Sequence, residues 1–265
     1  MEKDIPLKTT LEVARQKRAC RAAQAILAGL AQHVKAGIST KELDDICNVL
    51  MGQNSARPAL KGYRGYPFST CTSVNNVAAH GLPGAYRLCD GDIITLDLTA
   101  EVDGWYGDCA WTFSIGRSDG ESRRLLHAAW MTTREAIKAT KAGIRMGDIG
   151  HAIAATADRF GCRVLDSFVG HGIGRSMHEE PMVLNSGEPG TGLPIVPGMV
   201  FTIEPIVCVG EPEVQLLSDG WTVVTKDSSR CAQFEHTIAI FSDNTAVLTD
   251  PTGTETLNLD FPPAI

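Results

Sequence analysis

Gly91-Asp92-Ile93-Ile94-Thr95-Leu96-Asp97 and Gly198-Met199-Val200-Phe201-Thr202-Ile203-Glu204 carry one pattern twice: a glycine, an apolar run with threonine in it, then a carboxylate. Upstream of each stands a second matched pair, Lys35-Ala36-Gly37-Ile38 and Lys141-Ala142-Gly143-Ile144, at an offset of 106 positions against 107 for the carboxylates. Two matches in the same order at almost the same offset mark an internal repeat. Each Lys-Ala-Gly-Ile junction also separates two helical stretches. Thr9 with Glu12 and Ser39 with Glu42 form capping boxes for helices running to about Val34 and through Leu50. Their counterparts run from about Glu121 to Lys141 and from Asp148 towards Phe160. The pattern predicts an α+β fold in which residues 1–265 form one domain of two pseudo-symmetric halves, about 9–115 and 119–249. Strands meet in a central antiparallel β-sheet and helices lie outside.

Composition narrows the function. The 265 residues, 43% of them hydrophobic, suffice for a large core. A net charge of −7 and the lack of a long Lys/Arg block argue against nucleic acid or an anionic membrane as the main partner. Eight scattered cysteines with no CxxC pair read as reduced, mostly buried thiols rather than a disulfide scaffold or zinc knuckle. No run of eighteen apolar residues occurs, and the start Met1-Glu2-Lys3-Asp4 has no signal-like character. A cytoplasmic location is expected.

The chemistry gathers on the repeated strands. Ile93 to Glu101 reads as a strand, Asp103-Gly104 as a two-residue hairpin turn, and Trp105 to Ile115 as the return. With Val102 facing Trp105, Asp97 falls opposite Ala110, and Asp108 joins Asp97 on one face a diagonal step away. Two unpaired acids inside an apolar hairpin are costly, so a cation accounts for them better than a solvated face does. Glu204 is the repeat counterpart of Asp97. In Ala232-Gln233-Phe234-Glu235-His236-Thr237-Ile238 a strand would send Glu235 and His236 to opposite faces. Glu235 is assigned to the site, because an isolated histidine is more often structural. The glycine-rich segment Gly170-His171-Gly172-Ile173-Gly174-Arg175-Ser176-Met177-His178-Glu179-Glu180-Pro181 offers two histidines, one or both for metals. Its GxG spacing lacks the strand-turn-helix setting of a dinucleotide site. Four carboxylates with one imidazole suit two divalent ions about 3.5–4 Å apart, drawn from Co, Mn, Fe, Ni or Zn, that activate water for hydrolysis.

With these residues in place the sequence closely resembles the type I methionine aminopeptidases. The shared motifs are SVNNVAAHGLP around His80, the spaced Asp97 and Asp108, GHGIGRSMHEEP around His171 and His178, TIEP at Glu204 and QFEHT at Glu235. The resemblance covers roughly Thr9 to Thr249. It implies the pita-bread fold and excision of the initiator methionine from nascent polypeptides, preferentially before a small second residue. It further implies Asp97 and His171 as terminal ligands on different metals, Asp108 and Glu235 as bridges, and Glu204 as both ligand and proton carrier. His80 and His178 would contact the substrate amide and the tetrahedral intermediate, and Tyr63, Tyr66, Cys71, His80 and Trp221 would surround the methionine side chain. Two positions depart from the family pattern: Leu60 replaces the usual bacterial Cys, and Met177, expected to line the pocket, replaces an aromatic.

Nascent polypeptide N-termini are thus the expected partners, with no specific nucleic acid, no membrane and a monomeric chain; ribosome association is left open. Two rival readings are a proline-directed peptidase of the same fold, prolidase or X-Pro aminopeptidase, and a non-catalytic scaffold. Enzymes of the first kind usually carry a large N-terminal domain, whereas this chain reaches its first catalytic region by about His80. Retention of all five ligand positions together with His80 and His178 argues against the second.

Overall fold

Among the described residues four α-helices form close to the expected places: α1 (Thr10–Ala31) and α2 (Thr40–Gln53) at the two capping boxes, α3 (Gly120–Ala139), and α4 (Met146–Arg159), which opens two residues before Asp148. These come from a computed structural model that describes residues 4–254. At Thr9 and Ser39 the cap hydroxyl accepts the N–H of Glu12 or Glu42, whose carboxylate accepts the cap's own N–H in return. α3 begins at Asp119, whose carboxylate accepts the Ser122 N–H at 2.7 Å.

The strands build a nine-stranded antiparallel sheet, with Ile93–Val102, Trp105–Ser114, Glu235–Ile240, Val200–Ile203 and Gly170–Gly172 adjacent in that order. Cys71–Val74 lies on the outer edge of Ile93–Val102, pairing Cys71 with Asp97. The hairpin register is the expected one: Val102 faces Trp105 and Asp97 faces Ala110. Leu96, Leu98, Cys109 and Trp111 turn to the helical side, where they pack with Ala23, Ile26 and Trp130. α1 lies so close on the hairpin that a Cβ at Gly107 would stand 2.4 Å from the Cys20 backbone nitrogen.

The repeat persists as backbone conformation. Gly37 and Gly143 have φ of +90° and +92°, and Gly91 and Gly198 both have +92°, a region that favours glycine. Gly37 donates to the Leu88 carbonyl at 2.7 Å, as Gly143 does to Ile195 at 2.9 Å. Leu88 and Ile195 in turn donate to Ile38 and Ile144, at 2.9 and 2.8 Å. The same closure is thus made twice.

One expected strand is interrupted. The run 232–238 divides into Cys231–Gln233, in a small sheet with Ile206–Cys208, and Glu235–Ile240 in the large one. Phe234 marks the crossing, its ring edge-on to Trp111 and Trp130. Among the described residues no helix is long and apolar enough to cross a membrane.

Candidate metal centre and substrate cavity

The sheet register sets the carboxylates in rows. Cys71 pairs with Asp97, Asp97 with Ala110, and Ala110 with Glu235, so one row crosses four strands. Glu204 lies one residue beyond Ile203, which pairs with His236. The next row begins with Thr99 facing Asp108. It continues through Thr237, whose hydroxyl accepts the Asp108 N–H at 3.1 Å and donates to the Asp108 carbonyl at 2.8 Å. Thr237 pairs with Thr202, and the Thr202 hydroxyl accepts the His171 N–H at 3.0 Å. Alternation along a strand keeps these neighbouring rows on one face.

Potential ligand atoms of Asp108, His171 and Glu235 all lie within 4.8 Å of one another. His171 Nε2 is 3.4 Å from Glu204 Oε1 and 3.9 Å from Asp108 Oδ2. Its Nδ1 faces the Gly172 carbonyl at 3.0 Å, which keeps the proton on Nδ1 and frees the Nε2 lone pair. Asp97 stands outside the tightest group but lines the same cavity, and its charge acts on Asp108.

Burial raises all four acids. Asp97 is pushed up to about 7 by desolvation and Glu204 to about 8 by desolvation and the Asp97 charge. Asp108 and Glu235 rise well above the carboxylate range for the same reasons. Hydroxyls hold some of the oxygens: Thr99 donates to Asp108 Oδ1 at 3.0 Å and Thr202 to Glu204 Oε1 at 2.7 Å. Glu235 Oε1 is buried with no hydrogen-bond partner among the described residues. An orphaned carboxylate oxygen among three further acids and a neutral imidazole is a donor set that fits divalent cations.

His236 takes the other face. Its ring lies near Trp111 and Trp130, with Nδ1 2.9 Å from the Thr249 hydroxyl, and burial lowers its pKa to about 4.

The carboxylates floor a cavity of about 650 Å³. Tyr66, Cys71, His80, Phe168, Met177 and Trp221 line it. Tyr66 is buried, donates to the Thr70 carbonyl at 3.1 Å and meets Trp221 edge-on at 5.0 Å. His80 has φ of +53°, a strained left-handed backbone of the kind that collects at functional sites. Its ring is edge-on to Phe168 at 5.4 Å, and burial favours its neutral form. Tyr63 also lines the cavity and reaches His178, its hydroxyl 3.0 Å from Nδ1 and its ring stacked at 5.4 Å. Desolvation and the nearby His171 lower the His178 pKa.

Sequence reading missed the supports. Thr202 and Gln233 each stand two positions before a site acid, a spacing that signals a shared strand face. Gln233 Nε2 donates to the Glu204 carbonyl at 3.3 Å. Thr99 and Thr237, two positions after Asp97 and Glu235, carry the same signal, whereas Phe168 had none. Neither did buried Lys8, whose ammonium pairs with half-buried Glu179 at 2.5 Å beside His178.

This fold, with an acid-rich cluster at the bottom of a cavity, defines a metallopeptidase, and the model of metallopeptidase family M24 matches residues 14–241, so the chain belongs to that family. The methionine aminopeptidase 1 of Bacillus subtilis (strain 168) is 42% identical over 220 residues, spanning 83% of this chain and 89% of that protein. The crystal structure of methionine aminopeptidase from Rickettsia prowazekii superposes with a TM-score of 0.91 at 37% identity, covering 93% of this chain and all of the other. Within M24 the chain belongs to the methionine aminopeptidases, shares their pita-bread fold and is a metal-dependent hydrolase of the aminopeptidase class. Prolidase from Pyrococcus furiosus superposes at 0.74 with 20% identity, and this chain covers 65% of it; what the two share is the fold.

Proposed function

We propose that this enzyme removes the initiator methionine from cytoplasmic nascent polypeptides, preferentially when the second residue is small, using two divalent ions. The convergence of Asp108, His171 and Glu235 donor atoms within 4.8 Å, with Glu235 Oε1 unpartnered, carries this reading. Asp97, Asp108, His171, Glu204 and Glu235 would hold the ions, which when bound acidify water and polarise the scissile carbonyl.

The chain's own groups do the rest. Tyr66, Cys71, His80, Phe168, Met177 and Trp221 bury the methionine side chain in the apolar part of the cavity. Carboxylates at the floor draw the substrate's free α-amine, which restricts cleavage to the first bond. Glu204, its Oε1 held by Thr202 and its backbone by Gln233, takes a proton from the attacking water and returns it to the leaving amine. Neutral His178 and His80 present N–H donors to the oxygen that becomes negative as water adds.

The test is hydrolysis of Met-Ala-, Met-Glu- and Ala-Pro-initiated peptides, with and without added Mn or Co. Cleavage of the first peptide alone, lost on chelation, is expected. Preference for Ala-Pro would identify a proline-directed peptidase, and no hydrolysis of any peptide with metals bound would leave a scaffold.

A further inference from the structure

Cys208 and Cys231 are direct register partners at the end of a short antiparallel ladder, beyond Ile206 with Gln233 and Val207 with Ala232. The next pair out is joined by a hydrogen bond from Val209 N–H to the Arg230 carbonyl at 3.2 Å, and the Cys231 N–H turns away to Asn75 at 2.9 Å. The cysteines therefore form a non-hydrogen-bonded pair, the type with Cα atoms about 4.5 Å apart and side chains on one face. That separation lies inside the range a disulfide spans, about 4.4–6.8 Å. Both side chains are buried, and the Cys208 thiol donates to the Gly210 carbonyl at 3.5 Å.

We propose that Cys208 and Cys231 are a dithiol modification site, which a peroxide converts to a disulfide that closes the 209–230 loop. This loop carries Trp221, and its strand Val223–Thr225 pairs with Val77–Ala79 immediately before His80. The staple would thus clamp one wall of the substrate cavity. It goes beyond the proposed peptidase activity and does not depend on it.

Cys208 is the attacking sulfur. The neighbouring Cys231 thiol holds it below the usual thiol range, whereas burial pushes Cys20, Cys47, Cys71, Cys109 and Cys162 up. The Cys208 thiolate attacks one peroxide oxygen, breaking the O–O bond, giving a sulfenic acid and, after protonation, the first water or alcohol. The Cys231 sulfur then attacks the sulfenic sulfur, forming the S–S bond and expelling a second water. Two electrons pass from the sulfurs to the peroxide, and both thiol protons leave in the products. Both thiols are buried, so a small oxidant enters on local opening of the loop.

The experiment treats metal-loaded Cys89→Ser protein with hydrogen peroxide, which removes the exposed thiol. Free thiols are then alkylated, and intact mass and non-reduced tryptic peptides are measured. Loss of two hydrogens is expected, mapped to a cross-linked Cys208–Cys231 peptide pair and reversed by dithiothreitol. The loss should be absent from Cys208→Ser and Cys231→Ser. Amide exchange across 213–225 should slow roughly threefold or more in the oxidised form. Alkylation of both cysteines after peroxide, oxidation of either one only to a sulfinic acid, or the same mass loss in a serine variant would each overturn the site. Unchanged exchange would overturn the clamp.

Discussion

The Tyr63 hydroxyl lies 3.0 Å from Nδ1 of His178, joining residues 115 positions apart across the cavity mouth. A phenol donating to Nδ1 leaves the imidazole proton on Nε2, the tautomer that can donate to a developing oxyanion. We expect Tyr63→Phe to lower kcat about tenfold with little change in KM for Met-Ala peptides. The ¹⁵N shifts of His178 in zinc-loaded protein should show loss of the single tautomer. An equal fall in activity on Tyr63→Phe in the His178→Ala background would show that the two residues act separately.

Removing a buried donor should empty the centre before it unfolds the protein. Glu235→Gln keeps the shape but surrenders a charge, and its turnover should fall by about three orders of magnitude with fewer than two metals per chain. Metal analysis by mass spectrometry beside kcat checks this. Full metal content with near-normal turnover would remove Glu235 from the ligand set.

Stability should depend on pH differently with and without metals. In the metal-free chain Asp97 and Glu204 have folded pKa values raised to about 7 and 8, above their unfolded values. Raised acids contribute stability that is complete below the unfolded pKa and is lost as pH climbs through the folded one. His236, lowered to about 4, acts oppositely, but only below about pH 6.5. Between pH 6.5 and 8.5 the Tm of chelated protein should therefore fall, and metal-loaded protein, with the acids compensated, should show a much smaller fall. Parallel Tm curves for the two forms would contradict this.

Met177 is buried against the cavity. A flexible thioether grips less rigidly than a phenyl ring. Met177→Phe should sharpen discrimination of methionine over norleucine and leucine by about 1–2 kcal/mol. Ratios of kcat/KM for Met-Ala, norleucine-Ala and Leu-Ala measure it; unchanged ratios would show that Met177 does not set specificity.

What could be read from the sequence was what periodicity and turn chemistry encode. The Asp103-Gly104 turn dictates the hairpin register, and hence the diagonal placement of Asp97 and Asp108. Strand alternation decides that Glu235 and His236 part company. The matched glycines foretell the doubled closure around Gly37 and Gly143. The break at Phe234 was not legible, because a strand that changes sheets keeps its alternating pattern while its partners change. Nor was the reach of Tyr63 to His178, or of Lys8 to Glu179. Those contacts depend on where segments over a hundred residues apart are brought by the fold, which no local spacing records.

The rows of acids and threonines have a kinetic corollary. The candidate ligands come from neighbouring strands of one hydrogen-bonded sheet, drawn from both halves of the repeat and laced by Thr202 and Thr237. Local fraying reaches only His171, on the short strand Gly170–Gly172, and Glu204, just past Val200–Ile203, while Asp97, Asp108 and Glu235 are held in longer strands. Loss of those three carboxylates together should then be as slow as rupture of the sheet itself, so that complete metal release over time serves as a clock for global opening.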